Sequence, residues 1–219
     1  MKRNLILCAI AAVVLSACAR EIEPEYSGNV ETITFTAEAP AQTKTVLEDG
    51  VKVYWCYGDI INVSGATTPF VSSLKEGETA SSVTFTGEVE VADEYYAVYP
   101  SVEDWNGSIA YMTANTVQRA ETGTFGALNN ITVAKTSSED LSFSFKNILG
   151  HVKFTSNEAE AGYLRNVNIS SIAGESLSGG IIVDCAEDSP VAEVIDGRSY
   201  VTSTFAYKPA GDYYISMLP

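Results

Sequence analysis

The residues of this chain best suited to chemistry are few. There is one histidine, His151, and there are four cysteines, Cys8, Cys18, Cys56 and Cys185. A catalytic triad or a zinc site needs partners at set spacing, and the sequence holds no second histidine and no CxxC pair. In Gly-His-Val-Lys-Phe, alternation sets His151, Lys153 and Thr155 on one strand face, so His151 is read as turned to solvent or to a loop. The 28 acidic residues are numerous enough for a carboxylate pair of the glycosidase kind, but nothing singles out two of them. Glu48-Asp49-Gly50 and Ala186-Glu187-Asp188 are too sparse for a calcium loop, and no phosphate-cradling glycine motif occurs. The chain therefore reads as a non-enzyme, without catalytic residues, metal site or cofactor.

The cysteine with a defined chemical role is Cys18. Lys2 and Arg3 precede a short apolar run that begins at Leu5, which is the layout of a secretory signal. The run is well below the ~20 residues that span a bilayer as a helix. Leu15-Ser16-Ala17-Cys18 resembles a lipobox, at which a bacterial export is cut between Ala17 and Cys18 before the cysteine is acylated. Each buried methylene of such a chain contributes ~0.8 kcal/mol, so two or more chains hold a domain firmly on a membrane. An ordinary signal peptide with an incidental Cys18 is the alternative.

Removing residues 1–17 leaves 202 of the 219, with eleven basic against 28 acidic residues, a net charge of −17. Such a chain is repelled by nucleic acid and anionic lipid, so a nucleic-acid partner is not expected. Cys56 and Cys185 fall in strand-like runs and are read as separate buried thiols. An export also permits a disulfide between them. Residues 18–30 are the lipidated cysteine and an acidic tether, either a cue for surface export or a solvated linker.

From Glu31 the hydrophobic period is two. Thr32-Ile33-Thr34-Phe35-Thr36-Ala37 alternates hydroxyl and apolar residues, a half-buried strand. Asp49-Gly50 and Asn106-Gly107 are hairpin turns, and further strands are expected at residues 59–63, 82–91, 94–99, 108–112, 131–134 and 141–146. In residues 94–99, Tyr95, Ala97 and Tyr99 share one face while Tyr96 and Val98 share the other, the pattern of a strand buried on both sides. Residues 116–130 are looser, and residues 146–149 are the one short helical candidate. After them come strands at 150–156, 164–170, 180–185, 199–205 and 212–218. Many short strands at about ten-residue spacing predict an all-β protein of sandwich type, divided into residues 31–146 and 147–219. The chain stops within a strand-like run, so the second sandwich reads as incomplete. The aromatics are assigned to the core, except Trp105, which lies beside a turn and is a candidate ligand contact.

Three stretches together resemble the Bacteroidales fimbrillin family of lipoprotein pilins and pilus-tip adhesins. The first is Gln42-Thr43-Lys44-Thr45 with Val53-Tyr54-Trp55 and Gly58-Asp59-Ile60-Ile61-Asn62-Val63. The second is Phe145-Lys146-Asn147-Ile148-Leu149-Gly150-His151-Val152-Lys153-Phe154. The third is Val167-Asn168-Ile169-Ser170-Ser171-Ile172 with Leu177-Ser178-Gly179, leading to Tyr213-Tyr214-Ile215 and Leu218-Pro219. The resemblance implies two transthyretin-like antiparallel β-sandwiches on the outer membrane, held at the cell surface by the lipid on Cys18. It implies cleavage at Lys44, displacement of the strand bearing Ile33, Phe35 and Ala37, and assembly with other pilin subunits by strand exchange. A receptor on a host or bacterial surface is the second implied partner. The alternative is a surface glycan-binding lipoprotein that serves an outer-membrane importer and uses Trp105.

Overall fold

The computed structural model of the chain describes residues 28–39, 54–100, 102–158, 162–206 and 209–219. The protein is all-β, and its one helical element among these residues is a three-residue 3-10 turn, Ala127–Asn129. No helix among them is long and apolar enough to cross a membrane.

The alternation read from residues 32–37 extends over a nine-residue strand, Val30–Glu38, whose Phe35 and Ala37 are buried. It lies in an eight-stranded sheet. The order is Ser142–Ser144, Val30–Glu38, Ser82–Glu90, Phe70–Ser72, Ile60–Val63, Glu94–Tyr99, Thr132–Ser137 and Lys146–Asn147. The two ends of that order are consecutive pieces of one segment, residues 142–147. Its first half pairs with the first strand and its second half with Thr132–Val133. The sheet thus nearly closes on itself along this seam and encloses a core that includes Phe35, Trp55, Phe70, Phe85, Tyr95 and Phe143.

Strand Glu94–Tyr99 is buried on both faces, as its pattern predicts. Tyr95, Ala97 and Tyr99 enter the first core, while Val98, with Tyr96 beside it, belongs to a second. That second core holds Met112, Ile148, Leu149, Ile181 and Leu218. It is covered by a four-stranded sheet, Glu193–Arg198, Ser178–Asp184, Ile109–Ala114 and Asp104–Asn106. A three-stranded sheet of Val117–Arg119, Tyr200–Thr204 and Asn166–Ser170 and the pairs Gly150–Ser156/Gly211–Met217 and Trp55–Cys56/Thr79–Ala80 complete the sheets of the described residues. The linear division at Asn147 is crossed by two of these ladders, because Ile109–Ala114 pairs with Ser178–Asp184 and Val117–Arg119 with Tyr200–Thr204. Among the described residues two ladders are parallel, this last one and that of the first strand with Ser142–Ser144.

Two local expectations are corrected. Residues 146–149 form no helical turn: Lys146–Asn147 is a strand. Phe145 is buried in the first core, whereas Ile148 and Leu149 are buried in the second. Positions three and four apart share one face of a helix, so only extended chain can deliver these side chains to two cores. The stretch 116–130, expected to be loose, contains a strand and the 3-10 turn. Two lysines join the two parts across the surface. Lys135 is 2.9 Å from Asp188 and also donates to the Ala186 carbonyl, and Lys146 donates to the Asp188 carbonyl.

Candidate functional site

The first strand and the groove that holds it form the best-defined candidate site. Ile33, Phe35 and Ala37 project inward by alternation, and the strand pairs antiparallel with Ser82–Glu90 over its full length, Phe35 opposite Phe85. The Phe35 ring meets Phe143 at 4.7 Å, Tyr95 at 5.1 Å and Phe70 at 5.4 Å between centroids, and all four rings are buried. Aromatic pairs at such separations add ~0.5–1.5 kcal/mol each beyond the area they bury.

Ala37 is gripped through its backbone. The Trp55 indole Nε1 donates to the Ala37 carbonyl at 3.1 Å from a fully enclosed position. Trp55 is fixed by edge contacts with Phe85, Tyr99 and Phe145, whose ring centroids are 5.1–5.4 Å away. The turn after it is set by Gly58, whose φ of +81° suits glycine. The Asp59 carboxylate closes that turn by accepting from the Cys56 amide at 2.7 Å and from the Tyr99 hydroxyl at 3.1 Å. Burial, followed by the Asp59 charge, pushes the Tyr99 phenol far above its ordinary value, so it acts as a fixed donor.

On its second edge the strand is clasped, among the described residues, over three positions. Thr36, Ala37 and Glu38 lie beside Ser142, Phe143 and Ser144, and the Thr36 amide donates to the Leu141 carbonyl at 3.0 Å. Leu141 has φ +53°, a left-handed conformation that a non-glycine residue adopts at a cost of about 1–3 kcal/mol. Among the described residues, Val30 to Phe35 have no ladder on that edge.

The other sequence-predicted positions lie apart. Ala17, Cys18 and Lys44 fall outside the described residues, as does the expected Asp49-Gly50 hairpin. Trp105, expected to be exposed beside its turn, is half-buried because it leans on the second core. It lines an open cleft of about 540 Å³ together with Ile60, Asn62, Ala66, Pro69 and Val102. Of the two settings read for His151, solvent or a loop, it takes the second, against the loop residue Phe125. Its ring stacks on Phe125 at 4.5 Å and 15°, and Nδ1 lies 3.0 Å from the Ser216 hydroxyl. Burial lowers its pKa to about 4. The Phe125 ring covers a strand face that alternation alone assigns to water. Cys56 is half-buried and Cys185 lies in the second core; they share no disulfide, as the sequence reading favours. Among the described residues no group of three His, Cys, Asp or Glu is placed to hold a metal.

Sequence reasoning missed Gln118. Its buried amide accepts from the Ser216 N–H at 3.0 Å and donates to the Ser216 carbonyl at 2.6 Å, replacing a neighbouring strand at that point. A lone glutamine in a polar stretch gives no sequence signal of this. Comparison with protein-family models, with curated proteins and with solved structures finds no match to this chain.

Proposed function

We propose that this chain is a fimbrillin-like lipoprotein of the outer membrane, a stalk, tip or anchor subunit that assembles by strand exchange and takes part in adhesion. The reading combines the Leu15-Ser16-Ala17-Cys18 motif and the family resemblance with one geometric observation that carries it. The strand at positions 30–38 supplies the centre of the first core, yet among the described residues its second edge is clasped only at Thr36, Ala37 and Glu38. A strand held in this way leaves a deep apolar slot when withdrawn, bordered by unpaired backbone groups that template another chain. No catalytic step is part of this reading.

Two measurements test it. Mass spectrometry of the membrane-extracted protein should give an amino terminus at Cys18 bearing acyl chains, and an unmodified terminus refutes the anchor. Full-length protein incubated with an Arg/Lys-specific protease should be cut at Lys44 and form SDS-stable ladders. A single trimmed band that never oligomerises refutes strand exchange.

A second reading, glycan binding at the cell surface, draws on the Trp105 cleft, where one indole stands among Asn62, Thr67 and Thr68. Under that reading Trp105→Ala abolishes binding to the glycan while leaving the fold intact.

A further inference from the structure

Three segments of this chain carry one pattern: residues 33–38 (ITFTAE), 83–88 (VTFTGE) and 141–146 (LSFSFK). Each reads aliphatic, hydroxyl, Phe, hydroxyl, a fifth apolar position or glycine, then charge. They are also three adjacent strands of the nearly closed sheet, with the first strand in the middle. The first two copies are matched in reverse about their central Phe, and the third is offset by two residues, which sets Phe143 beside Ala37. Phe35 stands opposite Phe85, Thr34 opposite Thr86, and Thr36 between Thr84 and Ser142. The hydroxyls face outward and bond across strands, Thr34 to Thr86 at 2.8 Å and Thr84 to Ser73 at 2.9 Å.

The inward positions differ in the size they accept. Position 35 is enclosed by Phe70, Tyr95 and Phe143 and takes a large flat ring. Position 37 lies between Val83 and Phe143, all three fully or nearly fully buried, and its carbonyl receives the Trp55 indole. Only a small side chain fits there. Position 33 faces Gly87, where even a Cβ would come within 2.8 Å of the Phe70 ring. The indole N–H adds a register requirement, because a buried donor without an acceptor costs about 1–3 kcal/mol.

From this we infer that the segment that takes the place of the first strand in an assembly carries the code aliphatic, Ser/Thr, Phe, Ser/Thr, Ala/Gly, with its fifth carbonyl on Trp55. This rests on the strand-exchange reading above. The partner is defined by chemistry: an extended strand of another subunit with a ring two residues before a small residue and hydroxyls between. An alternating apolar strand with the ring and the small residue transposed is rejected, since the pocket at 35 is left empty and position 37 is overfilled.

The test uses full-length protein trimmed by the Arg/Lys-specific protease and a labelled nine-residue peptide of sequence VETITFTAE. The trimmed protein should capture this peptide. A peptide with the same composition but carrying F35A and A37F should bind at least about 100-fold more weakly. A Trp55→Phe protein should capture the native peptide about tenfold more weakly, in line with one lost buried hydrogen bond. Equal capture of native and transposed peptides overturns the code while leaving strand exchange standing. Trimmed protein that captures neither peptide and does not oligomerise overturns strand exchange and the code with it.

Discussion

Replacing Phe35 by alanine is the sharpest test of the claim that the first strand supplies the centre of the first core. The ring is wholly buried and touches three other buried rings. A Phe-to-Ala change in a core costs about 3–5 kcal/mol, from the lost transfer energy and the cavity left behind. The three aromatic contacts place this site at the upper end of that range. With a urea m-value of about 2 kcal/mol/M, a loss of about 4 kcal/mol lowers the midpoint by about 2 M. Trp55 reports on this core, as it meets Phe85, Tyr99 and Phe145. Its emission can be followed alone in a Trp105→Phe background. Val30→Ala, at the exposed start of the same strand, is the control and should shift stability by no more than about 0.5 kcal/mol. A Phe35→Ala loss below about 1 kcal/mol, or one equalled by Val30→Ala, refutes the assigned packing.

Three further outcomes follow from particular contacts. Gln118→Ala strands both backbone groups of Ser216, at about 1–3 kcal/mol for each unsatisfied group, and hydrogen exchange should show the Ser216 amide losing protection selectively. His151 has its folded pKa lowered by burial to about 4 from 6.5, so the unfolded chain binds the proton first. Its contribution to stability is complete above pH 6.5 and is lost as pH falls toward 4, with a slope of about 1.4 kcal/mol per unit. The difference between wild type and His151→Gln in urea midpoints across that window isolates the effect, and parallel profiles refute it. Gly87→Ala drives a methyl to 2.8 Å from the Phe70 ring, and thermal melts should show a loss of about 1–3 kcal/mol from overpacking.

Much of the fold is legible wherever one face of a strand is buried. The alternation from Thr32 to Ala37, the doubly buried Tyr95 to Tyr99 and the turn at Gly107, with φ +63°, all follow from residue type and spacing. Short or uniformly wet strands are not legible. Phe70–Ser72 offers three residues, and Glu193–Arg198 is exposed at five of its six positions, so neither carries a period. Pairing between distant strands is also hidden, since alternation says which way a side chain points and not which strand lies beside it. For that reason the alliance of Ile109–Ala114 with Ser178–Asp184 is visible only in three dimensions. At the candidate site the inward trio Ile33, Phe35 and Ala37 can be read directly. The Trp55 bond to Ala37 cannot, because it joins residues eighteen positions apart and alternation does not say which backbone group an indole reaches.

The seam at residues 142–147 has a mechanical consequence. A tug on the chain ahead of Val30 runs along the strand, so the nine-residue ladder with Ser82–Glu90 and the three-residue clasp with Ser142–Ser144 are loaded in shear and yield together rather than one bond at a time. Once they yield, Lys146–Asn147 is still stitched to Val133 and Thr132. The wall then opens at the place of the first strand, between Ser82–Glu90 and Ser142–Ser144, while its other ladders stay paired.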